Sequence, residues 1–287
     1  MRIGIPRGLL YYRYGEFWQR FFSYLGAETL ISPPTNKDIV ELGLKSISPE
    51  ICFPVKVLMG HIQWLLNKVD YIFLPRMVYL QKGSYGCPKM IGVADVARLY
   101  TDSILAPSIK GDFFLPHFTT GVKLIKNPLR VYKAYHKAYK ESFIKRREPE
   151  FPKDRLKIAL LSHFYLTLDE YISRPIIKTL KREGAFIYTK EDLPEDILLS
   201  LNKEAERVHW VYERELYNAF KYYLPRVDGI CQILSFNCGP DSLVGDLIGR
   251  EARDISKPFL SLFLDEHTAE AGIITRLEAF IDTIKRR

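Results

Sequence analysis

The run Gly229-Ile230-Cys231-Gln232-Ile233-Leu234-Ser235-Phe236 limits the fold more than any other stretch of the 287 residues. It is almost continuously apolar and lacks the alternation of a strand with one wet face. A run of this kind reads as a strand covered on both faces, as in a parallel sheet. Tyr71-Ile72-Phe73-Leu74-Pro75 reads the same way. Parallel strands need crossover connections, and helical spacing fills the intervals. Leu10, Tyr14, Phe17, Phe21, Phe22 and Leu25 fall along one side of a helix over 9–25, which Gly26 stops.

The same alternation runs through the chain. Strands are predicted at 3–6, 28–31, 71–75 and 103–107, then at 156–162, 185–188, 227–236 and 258–264. Helices are predicted over 37–46, capped by Thr35 or Asn36, and from Pro54 onward through Val57, Leu58, His61, Ile62, Leu65 and Leu66. Residues 76–89 read as a long loop, and 122–147 as a long basic helix or helix pair. Further helices are predicted over 172–183, 204–223, 240–253 and 277–285. Lys145-Arg146-Arg147-Glu148-Pro149-Glu150-Phe151-Pro152 breaks the pattern. The expected architecture is therefore α/β: two Rossmann-like domains with parallel sheets, 1–150 and 151–287, with an inter-domain cleft. The halves repeat an order of elements but not a sequence.

Three of the four cysteines share a setting: Glu50-Ile51-Cys52-Phe53-Pro54, Tyr85-Gly86-Cys87-Pro88-Lys89 and Phe236-Asn237-Cys238-Gly239-Pro240. Each has a proline one or two residues downstream and lies just after a strand or just before a helix. At a helix N-terminus, free N–H groups and the dipole favour negative charge. Ligands of open parallel sheets gather at the carboxyl ends of the strands, where all three loops fall. Two readings follow from the residues: thiolate ligands of an iron–sulfur cluster, or semi-buried structural cysteines. CxxC pairs are absent, so a closed zinc site fits less well. Cys231, inside the apolar strand, reads as a small hydrophobe.

Composition narrows the class. Hydrophobic residues make up 47% and charged residues 26%, as in a globular protein. No stretch approaches the roughly 20 apolar residues of a membrane span. The N-terminus enters a strand at once without a signal-peptide core, so a cytoplasmic location is expected. Four cysteines are too few for a disulfide scaffold. The net charge of +8 suits a solvated basic face, an acidic protein partner or a phosphate-rich ligand such as coenzyme A; no nucleic-acid-binding motif accompanies it.

Ile3-Gly4-Ile5-Pro6-Arg7, Ser32-Pro33-Pro34-Thr35, Glu50 to Lys56, Gly60-His61, Tyr71 to Arg76, Cys87-Pro88-Lys89, Phe236 to Ser242, Leu264 to Thr268 and Thr275 to Phe280 together resemble one family. It is the family related to 2-hydroxyacyl-CoA dehydratase and benzoyl-CoA reductase subunits. The likeness is to the uncharacterised branch that occurs alone or fused to the ATP-dependent activase. The resemblance implies flavodoxin-like domains and a [4Fe-4S] cluster held by three cysteines, which fall here on Cys52, Cys87 and Cys238. It implies low-potential electrons delivered by an ATP-hydrolysing iron–sulfur activase, for reductive or radical chemistry on an acyl-CoA, in a homo- or heterodimer. Four cysteines cannot supply the six that the double cluster of some relatives needs.

Other residues join these motifs. Lys56 and Lys89 flank cysteines, where cations would stabilise a negatively charged cluster, and Glu50 lies beside them. Arg7, after the first strand, is placed to meet a phosphate-like anion or a carboxylate of the chain. Asp265-Glu266-His267-Thr268 follows the last strand, so Glu266 and His267 are candidate catalytic groups on the rim, with helix capping the alternative role. His61 lies on the apolar side of its helix and reads as a core histidine. Two other functions fit: an electron-transfer or scaffold subunit without its own substrate, and a metal-free protein binding a phosphorylated or CoA-like ligand.

Overall fold

The structure is a computed structural model that describes residues 1–81, 83–200 and 204–287. The chain divides into two units, Met1–Ile144 and Lys145–Arg287. Among the described residues, no helix is long and apolar enough to cross a membrane.

The first unit runs β1 (Arg2–Ile5), α1 (Tyr11–Tyr24), β2 (Glu28–Ile31), α2 (Lys37–Ser46), α3 (Phe53–Leu65), β3 (Tyr71–Phe73), β4 (Arg76–Gln81), β5 (Ser84–Tyr85), α4 (Pro88–Ala97), β6 (Ile104–Leu105), β7 (Ser108–Lys110), α5 (Phe114–Ile125) and α6 (Pro128–Ser142). Its main sheet has the order β2-β1-β3-β6, with every pairing parallel. The second unit runs β8 (Leu156–Leu161), α7 (Phe164–Thr167), α8 (Glu170–Arg182), β9 (Ala185–Thr189), α9 (Glu195–Leu198), α10 (Val211–Tyr223), β10 (Gly229–Ser235), α11 (Gly239–Asp254), β11 (Phe259–Leu264) and α12 (Glu270–Lys285). Its sheet, β11-β10-β8-β9, is also all parallel. Numbered within each unit, both sheets have the order 2-1-3-4. This is the flavodoxin-like winding, in which the strand order reverses between the first and third strands.

Local chemistry accounts for the boundaries. Asn36, not Thr35, caps α2 by accepting from the Ile39 N–H at 3.0 Å, a bond that stabilises a helix by about 1 kcal/mol. Thr35 instead pairs with His61. β10 is buried at every position, as its apolar run predicts. Its Cys231 lies opposite Leu160 and Leu260 in the flanking strands, and burial pushes the thiol up to about 12.

Two expectations need correction, and a third resolves to one of its alternatives. Residues 76–89 are not simply a loop: β4 and β5 pair, and β4 also pairs in parallel with β7, giving a second sheet of order β5-β4-β7. Lys82, within that stretch, lies outside the described residues. The helix predicted over 204–223 is interrupted. A 3-10 turn covers Ala205–Arg207, and α10 starts only at Val211. The Arg214 Nε donates to the carbonyl of Val208 and holds the chain in the break. The basic segment forms two helices, since Lys126 turns left-handed at φ 52° and Asn127 caps α6 through the Arg130 N–H.

The cores differ in kind. In the first unit, Phe17, Phe21, Phe22 and Trp18 of α1 meet Phe73 and the buried His117. Trp18 Nε1–H donates to His117 Nε2 at 3.1 Å, and His117 Nδ1 lies 2.6 Å from the Phe113 carbonyl. Both nitrogens are thus satisfied in the neutral ring, and burial lowers its pKa to about 4. There too α2 and α3 touch backbone to backbone. A Cβ on Gly43 would lie 1.9 Å from the Lys56 oxygen, and one on Gly60 1.9 Å from the Ile39 oxygen. In the second unit, Tyr188, Tyr217, Phe220 and Tyr223 pack with Leu161, Leu216, Ile230 and Ile248.

Candidate functional site

Three helices begin on a cysteine. Cys52 is the N-cap of α3, Cys87 of α4 and Cys238 of α11. Each has extended backbone, with φ −62°, −60° and −99°, and each helix carries proline in its first turn. In none does the thiol cap its own helix. Proline at this point costs no hydrogen bond and fixes the entry of the chain. Cys52 and Cys238 are buried, Cys87 is half-buried, and no cysteine is in a disulfide.

Within the first unit, α3 and α4 pack together. Both border a narrow apolar crevice at the carboxyl ends of β1 and β3, with Pro6, Leu10, Leu58, Pro75, Met90 and Val93 on its walls. Gly86, just before Cys87, is pressed on β4, where a Cβ would lie 1.9 Å from the Met77 oxygen. Lys56 is buried one turn into α3, and Lys89 is half-buried in the first turn of α4. Arg7 is turned to its own rim: its N–H donates to Ser32 Oγ at 2.8 Å, its Nε to the Ser32 carbonyl at 3.2 Å, and its guanidinium lies over Tyr11. His61 is wholly buried against Thr35, 3.1 Å away. Burial first, and the Arg7 charge second, lower its pKa to about 3.

Within the second unit, the Cys238 turn is tightly made. Asn237 takes the left-handed region at φ 62°. Cys238 N–H donates to the Ser235 carbonyl at 3.1 Å, and Ser242 returns both its N–H and its hydroxyl to the Cys238 carbonyl. Asp241 Oδ2 accepts the Ser235 N–H at 3.2 Å and so ties the end of β10 to the first turn of α11. Glu266 is half-buried and His267 exposed. Asp265 and Thr268 close that turn on themselves. Asp265 Oδ1 accepts from the His267 N–H and the Thr268 hydroxyl, whose oxygen accepts the Asp265 N–H.

A constellation absent from the sequence reading lies at the same edge. His163 follows β8, Glu213 is in the first turn of α10, and Asp241 is in the first turn of α11. All three are buried. His163 Nε2 is 2.7 Å from Asp241 Oδ1 and 3.7 Å from Glu213 Oε1. Tyr165 stacks on the imidazole. Burial alone would lower the His163 pKa, but Asp241 and then Glu213 outweigh it, and the net direction is upward. Burial raises Glu213 as well, against the pull of His163. Lys190, also buried, pairs with Glu215 at 2.9 Å and Glu191 at 3.1 Å. Glu213 and Glu215 are weakly marked in the sequence, because 204–223 reads as one amphipathic helix, whose charged positions ordinarily face water. The signal was the apolar density around them, Trp210-Val211-Tyr212 on one side and Leu216-Tyr217 on the other.

A family model described as the CoA enzyme activase uncharacterised domain matches residues 2–193. The match holds Cys52, Cys87, Arg7, Lys56, Lys89 and His163, and ends before Glu213, Cys238 and Asp241. No curated protein matches the chain.

Proposed function

The chain belongs to the CoA enzyme activase uncharacterised domain family, and from that premise we propose that it is an iron–sulfur partner of an ATP-dependent activase. Cys52, Cys87 and Cys238 are the ligands of a [4Fe-4S] cluster in this reading. The observation that carries it is their shared local geometry: three N-cap thiols, three extended backbones, three prolines in the first turn. The donor set fits the group, since thiolates hold iron–sulfur clusters and N-terminal helix dipoles offset their charge. Such a cluster supplies one-electron chemistry at low potential. What the chain's own residues contribute is placement. Pro54, Pro88 and Pro240 fix the three helix starts, while Gly86 lets the Cys87 loop lie on β4. Lys56 and Lys89 bring positive charge near two of the ligands, and Arg7 stands at the reversal point of the first sheet as a candidate anion contact. The finer reading, kinship with 2-hydroxyacyl-CoA dehydratases and chemistry on an acyl-CoA, rests on the motif resemblance, and Glu266 and His267 are its candidate proton carriers.

Anaerobic purification with iron and sulfide analysis tests the proposal. The expected result is a brown protein with about four irons per chain, lost in Cys238→Ser and in Cys52→Ser. A colourless wild-type chain after anaerobic reconstitution overturns it. Reduction of the bound cluster by an activase with ATP, and not without ATP, then tests the partner.

A further inference from the structure

We propose that His163, Glu213 and Asp241 form a second metal site in this chain, for a single divalent transition-metal ion bound through nitrogen and oxygen. One atom from each of the three side chains lies within 4.8 Å of the others, and all three residues are buried.

Two independent observations point to an ion. The first is orientation. His163 Nε2 and Asp241 Oδ1 are 2.7 Å apart, yet neither has a hydrogen-bond partner among the described residues. Two buried polar atoms this close, neither satisfied by a well-formed hydrogen bond, leave acceptor capacity that a cation between them could use. An ion about 2.1 Å from each ligand atom would see His163 and Asp241 at roughly 80° and His163 and Glu213 at roughly 120°, both ordinary coordination angles. The second observation is charge. Lys190 is committed to Glu215 at 2.9 Å and Glu191 at 3.1 Å, and acts on Glu213 only through its longer-range field. Two buried acidic groups, Glu213 and Asp241, thus face one imidazole, a donor set whose oxygens a cation can match.

Topology supports the assignment. The strand order of the second unit reverses between β8 and β10, and ligands of open α/β sheets bind where it reverses. His163 stands at the end of β8, and Asp241 opens the helix after β10. One imidazole with two carboxylates suits Mn²⁺, Fe²⁺ or Zn²⁺, and not the soft ions that prefer thiolates. Since Asp241 Oδ2 also holds the Ser235 N–H, the ion would brace the turn that presents Cys238.

Mn²⁺ is the probe of choice, because thiolates compete for it poorly. The full chain, stripped with a chelator, is titrated with Mn²⁺ while free aquated Mn²⁺ is followed by electron paramagnetic resonance. The expected result is one tightly bound Mn²⁺ per chain, retained in Cys52→Ser and weakened at least tenfold in Glu213→Gln and in Asp241→Asn. On the wild-type chain, where no variant has to fold, the bound Mn²⁺ should show hyperfine coupling to one imidazole nitrogen. Absence of binding at millimolar Mn²⁺, bound Mn²⁺ without nitrogen coupling, or wild-type affinity in a folded Glu213→Gln variant each overturns the assignment. Iron content plays no part in these readouts, so this site and the proposed cluster stand or fall separately.

Discussion

The two units wind their sheets in one order and place different donors at equivalent positions on the carboxyl edge. After the first strand comes Arg7 in one unit and His163 in the other. The helix before the third strand begins at Cys52 in one unit, and carries Glu213 in its first turn in the other. After the third strand, both units cap a helix with cysteine, Cys87 and Cys238, and only the second adds Asp241 beneath it. Topology thus decides where donors gather, while the side chains decide their kind: thiols with cationic neighbours in one unit, a thiol with a buried imidazole and carboxylates in the other.

Two helix glycines, one in each unit, sit under different constraint, and the largest expected effect tests this. Gly60→Ala drives a methyl group on the Ile39 carbonyl, with backbone on both sides and nothing flexible to yield. It should cost the first unit about 3 kcal/mol or more. Gly245→Ala on α11 meets side-chain atoms alone, Leu234 methyls at 3.0 and 3.1 Å and the Gln232 amide nitrogen at 3.4 Å, and gains helix propensity, so its net cost should stay below about 1 kcal/mol. Denaturant unfolding checks both, with Trp18 and Trp64 reporting on the first unit and Trp210 on the second. Equal losses would erase the asymmetry.

Acid should separate the units next. His117 stays neutral in the fold down to about 4, but in the unfolded chain it takes a proton near 6.5. Its contribution is therefore complete above the unfolded value and lost as pH falls from there through about 4. The loss amounts to about 3 kcal/mol at most. His61, with its pKa lowered to about 3, acts in the same direction and in the same unit. Unfolding of the first unit followed by Trp18 fluorescence from pH 7 to 4 should show the decline, and His117→Phe should flatten it. An unchanged slope in that variant would remove His117 as the cause.

Much of this was legible in the sequence. The run from Gly229 to Ser235 forms a strand because an apolar stretch of that length has no face to give to water. Cys52, Cys87 and Cys238 could be placed at helix starts because proline follows each within two residues. The sheet of β4, β5 and β7 could not be read. Its strands are short, and β4 pairs with β7 some thirty residues later, where no local pattern announces it. The His163–Glu213–Asp241 group was hidden for a related reason. Polar residues at helical spacing normally face water, and only tertiary packing turns Glu213 inward.

The smallest effect separates the two cysteines that share a strand and its turn. Cys231→Ala should cost about 1–2 kcal/mol through the lost sulfur contact and leave iron content unchanged. Cys238→Ser should do the reverse, with little change in stability of the apo chain and loss of iron. Iron loss in Cys231→Ala would show that the strand thiol takes part in metal binding.

The position of the unit boundary also sets a timetable. The first unit is complete at Ile144, and Cys238 lies 151 residues after Cys87. Units of a growing chain fold as they emerge, at about 5–20 residues per second, so roughly 8–30 s pass between the synthesis of Cys87 and of Cys238. During that interval a nascent chain carries two of its three N-cap thiols without the third. A ligand set drawn from all three, as proposed above, would be complete only late in synthesis.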